Sequence, residues 1–385
     1  MKIGIPKELT SGEKRIATPP DAIKKLVNMG AEVFVQAGAG EGASISDTEL
    51  VESGAKILED ASAIYKTADI ILKVQRPTVN KADGIDEMSM LREDTILIGM
   101  LSPHFNKPQV EEYARKGVVA ISMEFIPRIS RAQSMDALSS QSNIAGYKAV
   151  IEAASIFGRI FPMMMTAAGT VTPAKVLVLG AGVAGLQSIA TAKRLGASVS
   201  AFDVRPAVKE QVESLGAKFV QVENIGGDNA ETSGGYAREM SDEYKERQRE
   251  VLYNCIKTQD ICITTAQIPG QKAPILIDRE MVHEMKSGSV IIDLAMETGG
   301  NCELSESDKV IDINGVKVVG YQNWPALVPK DTSSLYGRNL VNLMSLIVDS
   351  ESGSLSIDWD DEIIKGALLT RNGSVVNQLL REMES

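Results

Sequence analysis

Residues 175–185 read KVLVLGAGVAG, a short apolar run that ends in glycines spaced as G-x-G-x-x-G. The run continues into a helical stretch, VAGLQSIATAKRL (183–195), which ends at Gly196. A strand, a glycine-rich turn and a helix in this order are typical of the first unit of a dinucleotide-binding sheet. The stretch therefore predicts a doubly wound α/β fold around it.

The glycines also suit the turn to an anionic ligand. Glycine permits a tight bend and a close approach of the backbone to a pyrophosphate, and the following helix presents free N–H groups and its positive dipole end. Asp203 ends the next predicted strand, 23 positions after Gly180, where a carboxylate accepts hydrogen bonds from a ribose and disfavours a 2′-phosphate. Arg205, which would suit a phosphate, weakens that preference. We predict NAD binding; the alternative is that the glycines serve only helix–strand packing.

Length and pattern extend this prediction to the whole chain. At 385 residues the chain exceeds the usual size of one hydrophobic core, so we expect two domains. Short β-branched runs alternate with amphipathic stretches from the start, and a second such series begins at Lys175. The predicted fold is α/β, with two doubly wound Rossmann-like domains that have parallel sheets, long joining helices and a cleft between them. The expected domains are 1–140 plus 325–385, which is discontinuous, and 141–324.

The individual elements are predicted as follows. The predicted strands are KIGI (2–5), EVFVQ (32–36), ADIILKV (68–74), TILIGML (95–101), VVAISME (118–124), KVLVLG (175–180), SVSAFD (198–203), KFVQV (218–222), DICITTA (260–266), SVIIDLA (289–295) and VKVVGY (316–321). Helical spacing predicts long helices over 141–160 and 333–348 and a last helix near 360–383. A second glycine-rich stretch, Gly38 to Ala43, is predicted to be a loop, because Glu41 would oppose a phosphate.

Composition excludes several classes of partner and site. The formal charge of −11, with no local cluster of Lys and Arg, opposes nucleic-acid binding. The longest apolar stretches, such as 288–296, are far shorter than the ~20 residues that span a bilayer. Cys255, Cys262 and Cys302 lack metal-ligand spacing and follow no signal peptide. We therefore expect no membrane span, no metal site and a cytoplasmic compartment.

Residues 127–143, PRISRAQSMDALSSQSN, precede the predicted interdomain helix and are rich in polar side chains. Ligands commonly bind in a cleft at such a position. Taken alone, the segment is better explained as a solvated loop in which Ser139 or Ser140 caps the next helix.

Several stretches together resemble one family. With GIPKE (4–8), LKVQRP (72–77), FPMMMTAAGTVTPAKVLVLGAGVAGLQ (161–187), FDVR (202–205) and DLAMETGGN (293–301), the polar segment resembles the nucleotide-binding alpha subunit of proton-translocating NAD(P) transhydrogenase. The resemblance covers most of residues 1–340, and alanine dehydrogenase is similar at a greater distance.

The resemblance implies a set of site residues. It implies a catalytic set that fixes the nicotinamide and its ribose, with Gln133 also reaching toward a second nucleotide: Arg128, Gln133, Asp136 and Ser139. It implies cofactor-binding positions at Ile129, Ser134, Met135, Gly180, Gly182, Val183, Ala184, Gly185, Asp203, Val204, Arg205, Gly235, Tyr236 and Gln267. The segment 231–250, with Gly234 and Met240, resembles a mobile loop that closes over nucleotide; a plain surface excursion is the alternative.

The two related activities need different groups. Oxidative deamination needs a carboxylate anchor and a proton acceptor, whereas direct hydride transfer between nicotinamides needs two oriented rings. Arg15 and Lys73 match substrate-binding positions of alanine dehydrogenases, but Ser102 stands where the catalytic histidine aligns. We expect Arg15 and Lys73 to be structural residues paired with carboxylates of the first domain. His104 remains an alternative base, and His283 is expected at the surface.

The resemblance implies that the chain binds NAD(H) and exchanges a hydride with NADP(H) on a partner subunit, coupled to proton translocation. The implied partners are a membrane subunit, an NADP-binding beta subunit and a second copy of the chain, at the cytoplasmic face of the inner membrane. Two alternatives remain, a stand-alone alanine dehydrogenase and a non-catalytic NAD-responsive binding protein. Met163, Met164 and Met165 are interpreted as adaptable packing at a domain joint.

Overall fold

The structure is a computed structural model that describes residues 1–80, 84–222, 241–349 and 352–382. Its strands are β1 (Lys2–Ile5), β2 (Glu32–Gln36), β3 (Ala55–Leu58), β4 (Ile70–Gln75), β5 (Val79–Asn80), β6 (Ile85–Asp86), β7 (Ile96–Met100), β8 (Val119–Ser122), β9 (Met164–Thr166), β10 (Gly169–Val171), β11 (Lys175–Leu179), β12 (Ser198–Phe202), β13 (Lys218–Val220), β14 (Ile261–Thr264), β15 (Val290–Asp293), β16 (Val310–Ile313), β17 (Val316–Val319), β18 (Leu368–Arg371) and β19 (Ser374–Val375). Its helices are α1 (Pro20–Asn28), α2 (Asp47–Glu52), α3 (Ala61–Thr67), α4 (Glu87–Met90), α5 (Lys107–Arg115), α6 (Ala137–Ile156), α7 (Val183–Arg194), α8 (Lys209–Ser214), α9 (Asp242–Ile256), α10 (Arg279–Glu284), α11 (Pro329–Ile347), α12 (Glu362–Ala367) and α13 (Gln378–Glu382).

The chain divides into two compact units. The first unit comprises Met1–Gln141 and Ala326–Ser385, and the second comprises Ser142–Pro325. One boundary falls inside α6 and the other inside a short 3-10 helix, Trp324–Leu327.

The first unit is built on an eight-stranded sheet in the order β19-β18-β8-β7-β4-β1-β2-β3. Neighbouring strands from β3 to β8 are parallel, with Ile3 opposite Val33 on one side of β1 and opposite Ile70 on the other. Read in chain order, the six parallel strands follow the doubly wound order 3-2-1-4-5-6. Strand β4 is buried along most of its length, so its sequence is a nearly continuous apolar run rather than an alternating one.

The second unit repeats this topology. Its main sheet has the order β13-β12-β11-β14-β15-β17-β16, parallel except for β16 at the edge. In such sheets, ligands bind outside the carboxyl ends of the strands at the point where the strand order reverses. Here the order reverses between β11 and β14. The prediction of two doubly wound, Rossmann-like units with mainly parallel sheets is confirmed.

The C-terminal prediction of a single helix near 360–383 is wrong. The chain forms α12, the hairpin β18–β19 and α13, because the apolar run that begins at Leu368 adds an antiparallel strand to β8. Asn372 and Gly373 both have positive φ, at 50° and 72°, as a two-residue hairpin turn requires. The Asn-Gly pair was a sequence signal for this hairpin.

The methionine run does not pack inside the chain. Met163, Met164 and Met165 are 58%, 45% and 74% exposed, so their interpretation as internal packing is wrong. They lie on the isolated two-stranded hairpin β9–β10, in which every residue is exposed. Two-stranded hairpins are only marginally stable in water by themselves. Within the described ranges, no helix is long and apolar enough to cross a membrane.

Candidate functional site

The glycine-rich turn lies between β11 and α7 in the second unit. Gly180 has a φ of +96°, a conformation that favours glycine. A Cβ atom on Gly185 would lie 1.9 Å from the carbonyl oxygen of Gly180, so no other residue fits there. The absence of a side chain at Gly185 allows the first turn of α7 to press directly against the end of β11.

The same turn leaves room at its middle glycine. A Cβ atom on Gly182 would meet no heavy atom within 4 Å, and Gly182 has no side chain to cap the start of α7. The first N–H groups of a helix need an acceptor from outside the helix. This open, uncapped helix start fits a pyrophosphate.

Asp203 and Arg205 form one ion pair beside the turn. The Asp203 carboxylate accepts the backbone N–H of Ala181 at 2.7 Å and that of Arg205 at 2.9 Å. The Arg205 guanidinium donates to both carboxylate oxygens, at 2.9 Å from Nε and 2.8 Å from Nη2. The sequence suggested opposite roles for these residues, whereas the structure uses the arginine to neutralise and orient the aspartate. A ribose bound at Asp203 would compete with this guanidinium for the same oxygens.

The floor of the turn comes from the segment after β14. The Thr265 hydroxyl donates to the Gly180 carbonyl at 3.0 Å. The buried side chain of Asn301 accepts the N–H of Ala266 at 3.0 Å and donates to its carbonyl at 2.9 Å. This clamp fixes the backbone just before Gln267, whose side chain is exposed. Sequence reasoning missed Asn301, although it directly follows the Gly-Gly pair of DLAMETGGN.

Asn301 is itself held by a buried carboxylate. Asp293, at the end of β15, accepts the N–H of Asn301 at 2.9 Å, that of Ala295 at 3.0 Å and the Ser305 hydroxyl at 2.7 Å. Buried charges require such hydrogen bonds to offset the cost of their desolvation. Asp293 thus organises the loop that carries Asn301.

Within the second unit, α6 also packs closely on α7. A Cβ atom on Gly146 would lie 2.1 Å from the carbonyl oxygen of Ala184, and the Ser188 hydroxyl donates to the Gly146 carbonyl at 3.0 Å. This contact supports the same first turn of α7 that faces the open space at Gly182. No pattern in the sequence indicated it.

The polar segment lies in the first unit, where Ser130–Met135 forms a 3-10 helix. Asp136 caps the helix that follows, because its carboxylate accepts the Ser139 N–H at 2.8 Å and the Ser139 hydroxyl at 2.5 Å. The expectation that Ser139 or Ser140 caps this helix is wrong: the cap lies three residues before Ser139 and uses a charged acceptor.

Exposure divides the implied residues of this segment. Arg128, Gln133 and Ser134 are at least partly exposed, and Ile129 is partly exposed. Met135 is buried in the core of the first unit, so its side chain is unavailable to a ligand there. The implied flap residues Gly234, Gly235, Tyr236 and Met240 lie outside the described residues.

Arg15 and Lys73 lie in a buried charge cluster near the carboxyl ends of β1 and β4. Lys73 Nζ lies 2.6 Å from a Glu87 oxygen and 3.2 Å from a Glu8 oxygen, and Arg15 Nη2 lies 2.6 Å from a Glu13 oxygen. The expectation that both cations pair with carboxylates of the first domain is confirmed.

The cluster holds three carboxyl groups and two cations. Because burial disfavours the charged form, the pKa of Glu8 is raised to about 7 despite the neighbouring Lys73. Glu8 also accepts the Val74 N–H at 2.6 Å, which fixes it at the end of β4. The third carboxyl is therefore the group that takes up a proton.

Ser102 and His104 occupy a turn after β7. Ser102 has a φ of +47°, and its N–H donates to Glu124 at 2.7 Å. Burial lowers the pKa of His104 and thereby favours its neutral form, and its Nδ1 atom has no hydrogen-bond partner among the described residues. His283 is exposed, as expected, with Nδ1 3.0 Å from the Asn314 amide.

Two family models match the chain: "Alanine dehydrogenase/PNT, N-terminal domain" over residues 4–145 and "Alanine dehydrogenase/PNT, C-terminal domain" over residues 149–378. An NAD(P) transhydrogenase subunit alpha of Rhodospirillum rubrum is 53% identical over 381 residues, which cover 99% of each chain. The chain belongs to the NAD(P) transhydrogenase alpha-subunit family. It is an oxidoreductase component of that type.

Other relatives agree with this assignment to the alpha-subunit family. The crystal structure of transhydrogenase from Sinorhizobium meliloti has a TM-score of 0.87 and 46% identity, covering 98% of this chain and 100% of that one. Alanine dehydrogenase of Mycolicibacterium smegmatis is 27% identical over 386 residues, covering 98% of this chain and 95% of that one. The chain is thus much closer in sequence to the transhydrogenase subunits than to this alanine dehydrogenase.

The two glycines of the turn should respond differently to an added methyl group. Gly182→Ala has space and a negative φ, so we expect an unchanged melting temperature but NAD binding weakened about tenfold, or ~1.4 kcal/mol, because the methyl enters the ligand space. Gly185→Ala should lose about 3 kcal/mol or more of unfolding free energy through its clash with Gly180. Calorimetry and thermal melts measure both, and equal effects of the two variants would refute the assignment.

The buried cluster predicts a pH dependence of stability. The pKa of Glu8 is higher in the folded state than its ordinary value of 4.5, so the folded chain binds more protons between pH 4.5 and about 7. The contribution of Glu8 to stability is therefore complete below pH 4.5 and falls as pH rises toward 7, by up to ~1.4 kcal/mol per pH unit. Urea unfolding from pH 5 to 8 should show a weaker decline for Glu8→Gln than for the wild type. Identical slopes would contradict the shift.

Proposed function

We propose that this chain binds NAD(H) and exchanges a hydride with NADP(H) held by a partner subunit. The observation that carries the proposal is the uncapped start of α7 at Gly182, which faces open space where the strand order of the second sheet reverses. The reaction balances as NADPH + NAD⁺ → NADP⁺ + NADH, with the hydride passing between the two nicotinamide rings. Inward proton flow through a membrane subunit would drive it.

In this proposal the second unit holds the dinucleotide. The amides of Gly180 to Gly185 bind the pyrophosphate, and Asp203 binds the adenosine ribose while Val204 and Arg205 flank it. The engagement of Arg205 by Asp203 supports NAD over NADP, because the guanidinium charge is already neutralised where a 2′-phosphate would need it. Gln267 follows β14 at the edge of the sheet where a nucleotide binds. We assign residues 141–324 to this NAD-binding domain.

The nicotinamide end is assigned to the polar segment of the first unit. Arg128 and Gln133 present polar side chains that solvent reaches, and Asp136 holds Ser139 by two hydrogen bonds. The backbone of Ile129, Ser134 and Met135 completes the proposed contact. Their domain, 1–140 plus 325–385, is the alanine-dehydrogenase-like part of the chain. Gly235 and Tyr236 are proposed to close over the bound nucleotide.

An amino-acid substrate is not favoured. Such a substrate would need a free cation to bind its carboxylate. Lys73 is held by Glu8 and Glu87, and the Arg15 guanidinium by Glu13 and Gln141. The two cations that match alanine dehydrogenase positions are thus already satisfied by this chain.

The proposed partners are an NADP-binding beta subunit, a membrane subunit and a second copy of the chain. The exposed hairpin β9–β10 supports the homodimer, because its methionines are apolar, adaptable and uncovered within the chain. Through these partners the chain would associate peripherally with the cytoplasmic side of the inner membrane.

A mixing assay tests the function. The purified chain, combined with an NADP-binding transhydrogenase subunit, should pass hydride from NADPH to acetylpyridine adenine dinucleotide, an analogue of NAD whose reduction is visible by absorbance. Gly182→Ala serves as the matched control, since it should fold but bind the analogue weakly. No transfer despite measured NAD binding would reduce the chain to a binding protein. Pyruvate formation from NAD and alanine would favour a dehydrogenase instead.

Gln133→Asn separates binding from transfer. The side chain is exposed and is proposed to reach toward the second nucleotide, so shortening it by one methylene should slow hydride transfer about 30-fold or more. The dissociation constant for NADH should change less than about threefold, because the pyrophosphate and ribose contacts remain. Stopped-flow transfer and NADH fluorescence titration measure the two quantities. Equal losses in both would exclude the bridging role.

A further inference from the structure

We propose that Asn339 and Asn342, on helix α11, are positioning residues that hold the 3-10 helix Ser130–Met135 so that Gln133 points outward in one direction. The inference rests on the proposed function and deepens it, because it names the side chains that orient the nicotinamide segment. Neither asparagine belongs to the set of ligand-contacting residues proposed above.

The two amides converge on one backbone atom. The Nδ2 atoms of Asn339 and Asn342 each lie 2.9 Å from the carbonyl oxygen of Ser134, the residue directly after Gln133. The asparagines are three positions apart and therefore share one face of α11. A carbonyl oxygen has two lone pairs, so the two donors saturate it and fix its direction.

Asn339 also ties the segment to the helix that follows it. Its Oδ1 atom accepts the Ser140 hydroxyl at 2.7 Å, and the asparagine is only 6% exposed. The Ser140 hydroxyl lies 3.1 Å from the carbonyl oxygen of Ala137. With both ends of its amide engaged, Asn339 has a single orientation, and the 3-10 helix and the first turn of α6 share one anchor.

The anchor itself is rigid. Helix α11 buries Leu340, Leu343 and Met344 completely in the core of the first unit. Sites supported by packed helices hold their geometry better than sites on loops alone. A clamp on α11 therefore transmits the position of the core to a segment whose tip is exposed.

The neighbours of Gln133 are fixed in other directions. Ala132 and Met135 are buried in the core, whereas Arg131 is drawn outward to Asp361 and Glu362, with shortest distances of 2.7 Å and 3.2 Å. The backbone carbonyl after Gln133 is the point that the asparagines fix. Their removal should therefore change the direction of Gln133 more than the packing of the segment.

The test uses the double variant Asn339→Leu/Asn342→Leu, which keeps side-chain volume but removes both donors. Ser345→Ala is the control, because Ser345 is exposed on the same helix and donates only to the Asn342 carbonyl. In the mixing assay the double variant should transfer hydride about 30-fold more slowly, since small misplacements of reacting groups are costly. Its NADH dissociation constant should stay within about threefold of wild type. Ser345→Ala should match wild type in both. A transfer rate within about threefold of wild type would overturn the proposal.

A double-mutant cycle distinguishes positioning from stability. If the asparagines act through Gln133, the two leucine substitutions should slow transfer less than about threefold further when Gln133→Asn is already present. Independent, multiplicative losses would show a structural role only. Restoring one donor with Asn342→Gln in the Asn339→Leu background should recover part of the rate.

Hydrogen exchange keeps this test separate from the proposed function. If the wild-type chain transfers no hydride, the proposed function fails, and the clamp is judged on the segment alone. Amides of residues 130–136 should then exchange at least about tenfold faster in the double variant than in wild type, with unchanged exchange in the strands of the first sheet. Unchanged exchange at 130–136 would overturn the clamp as well.

Discussion

The close contact between Gly185 and the carbonyl oxygen of Gly180 determines the geometry of the second unit. A Cβ at Gly185 would lie 1.9 Å from that oxygen, so only glycine lets α7 start against the end of β11. Other contacts depend on this arrangement: Asp203 reaches the Ala181 N–H, and Gly146 packs against the Ala184 carbonyl. Together they hold an uncapped helix N-terminus at the point where the strand order reverses.

The two units share a topology but differ at the corresponding position. Both sheets follow the doubly wound order, yet in the first unit the carboxyl ends of β1 and β4 adjoin the buried cluster of Lys73 and its carboxylates instead of an open glycine turn. A buried ion pair must be surrounded by hydrogen bonds, so this position is closed by the side chains of the unit itself. Side-chain chemistry, and not strand order, therefore separates the two units.

Features encoded by neighbours in sequence were predictable. The strand–turn–helix at 175–195 and the pairing of Arg15 and Lys73 with carboxylates follow from residue type and spacing. The clamps were not predictable, because Asn301 and Asn339 act on backbone atoms far away in sequence. Asp136 was missed as a cap because several hydroxyl residues nearby competed for the role. The C-terminal hairpin was missed although its Asn-Gly turn was visible, since the apolar run of Leu368 also suits a helix.

The central claim is that the dinucleotide binds at the turn of the second unit. A crystal structure of the chain with bound NADH tests it most directly. The account predicts electron density for the pyrophosphate against the backbone amides near Gly182, with the adenosine ribose at Asp203. Density for the nucleotide beside Lys73, or elsewhere in the first unit without contact to the glycine turn, would contradict the account.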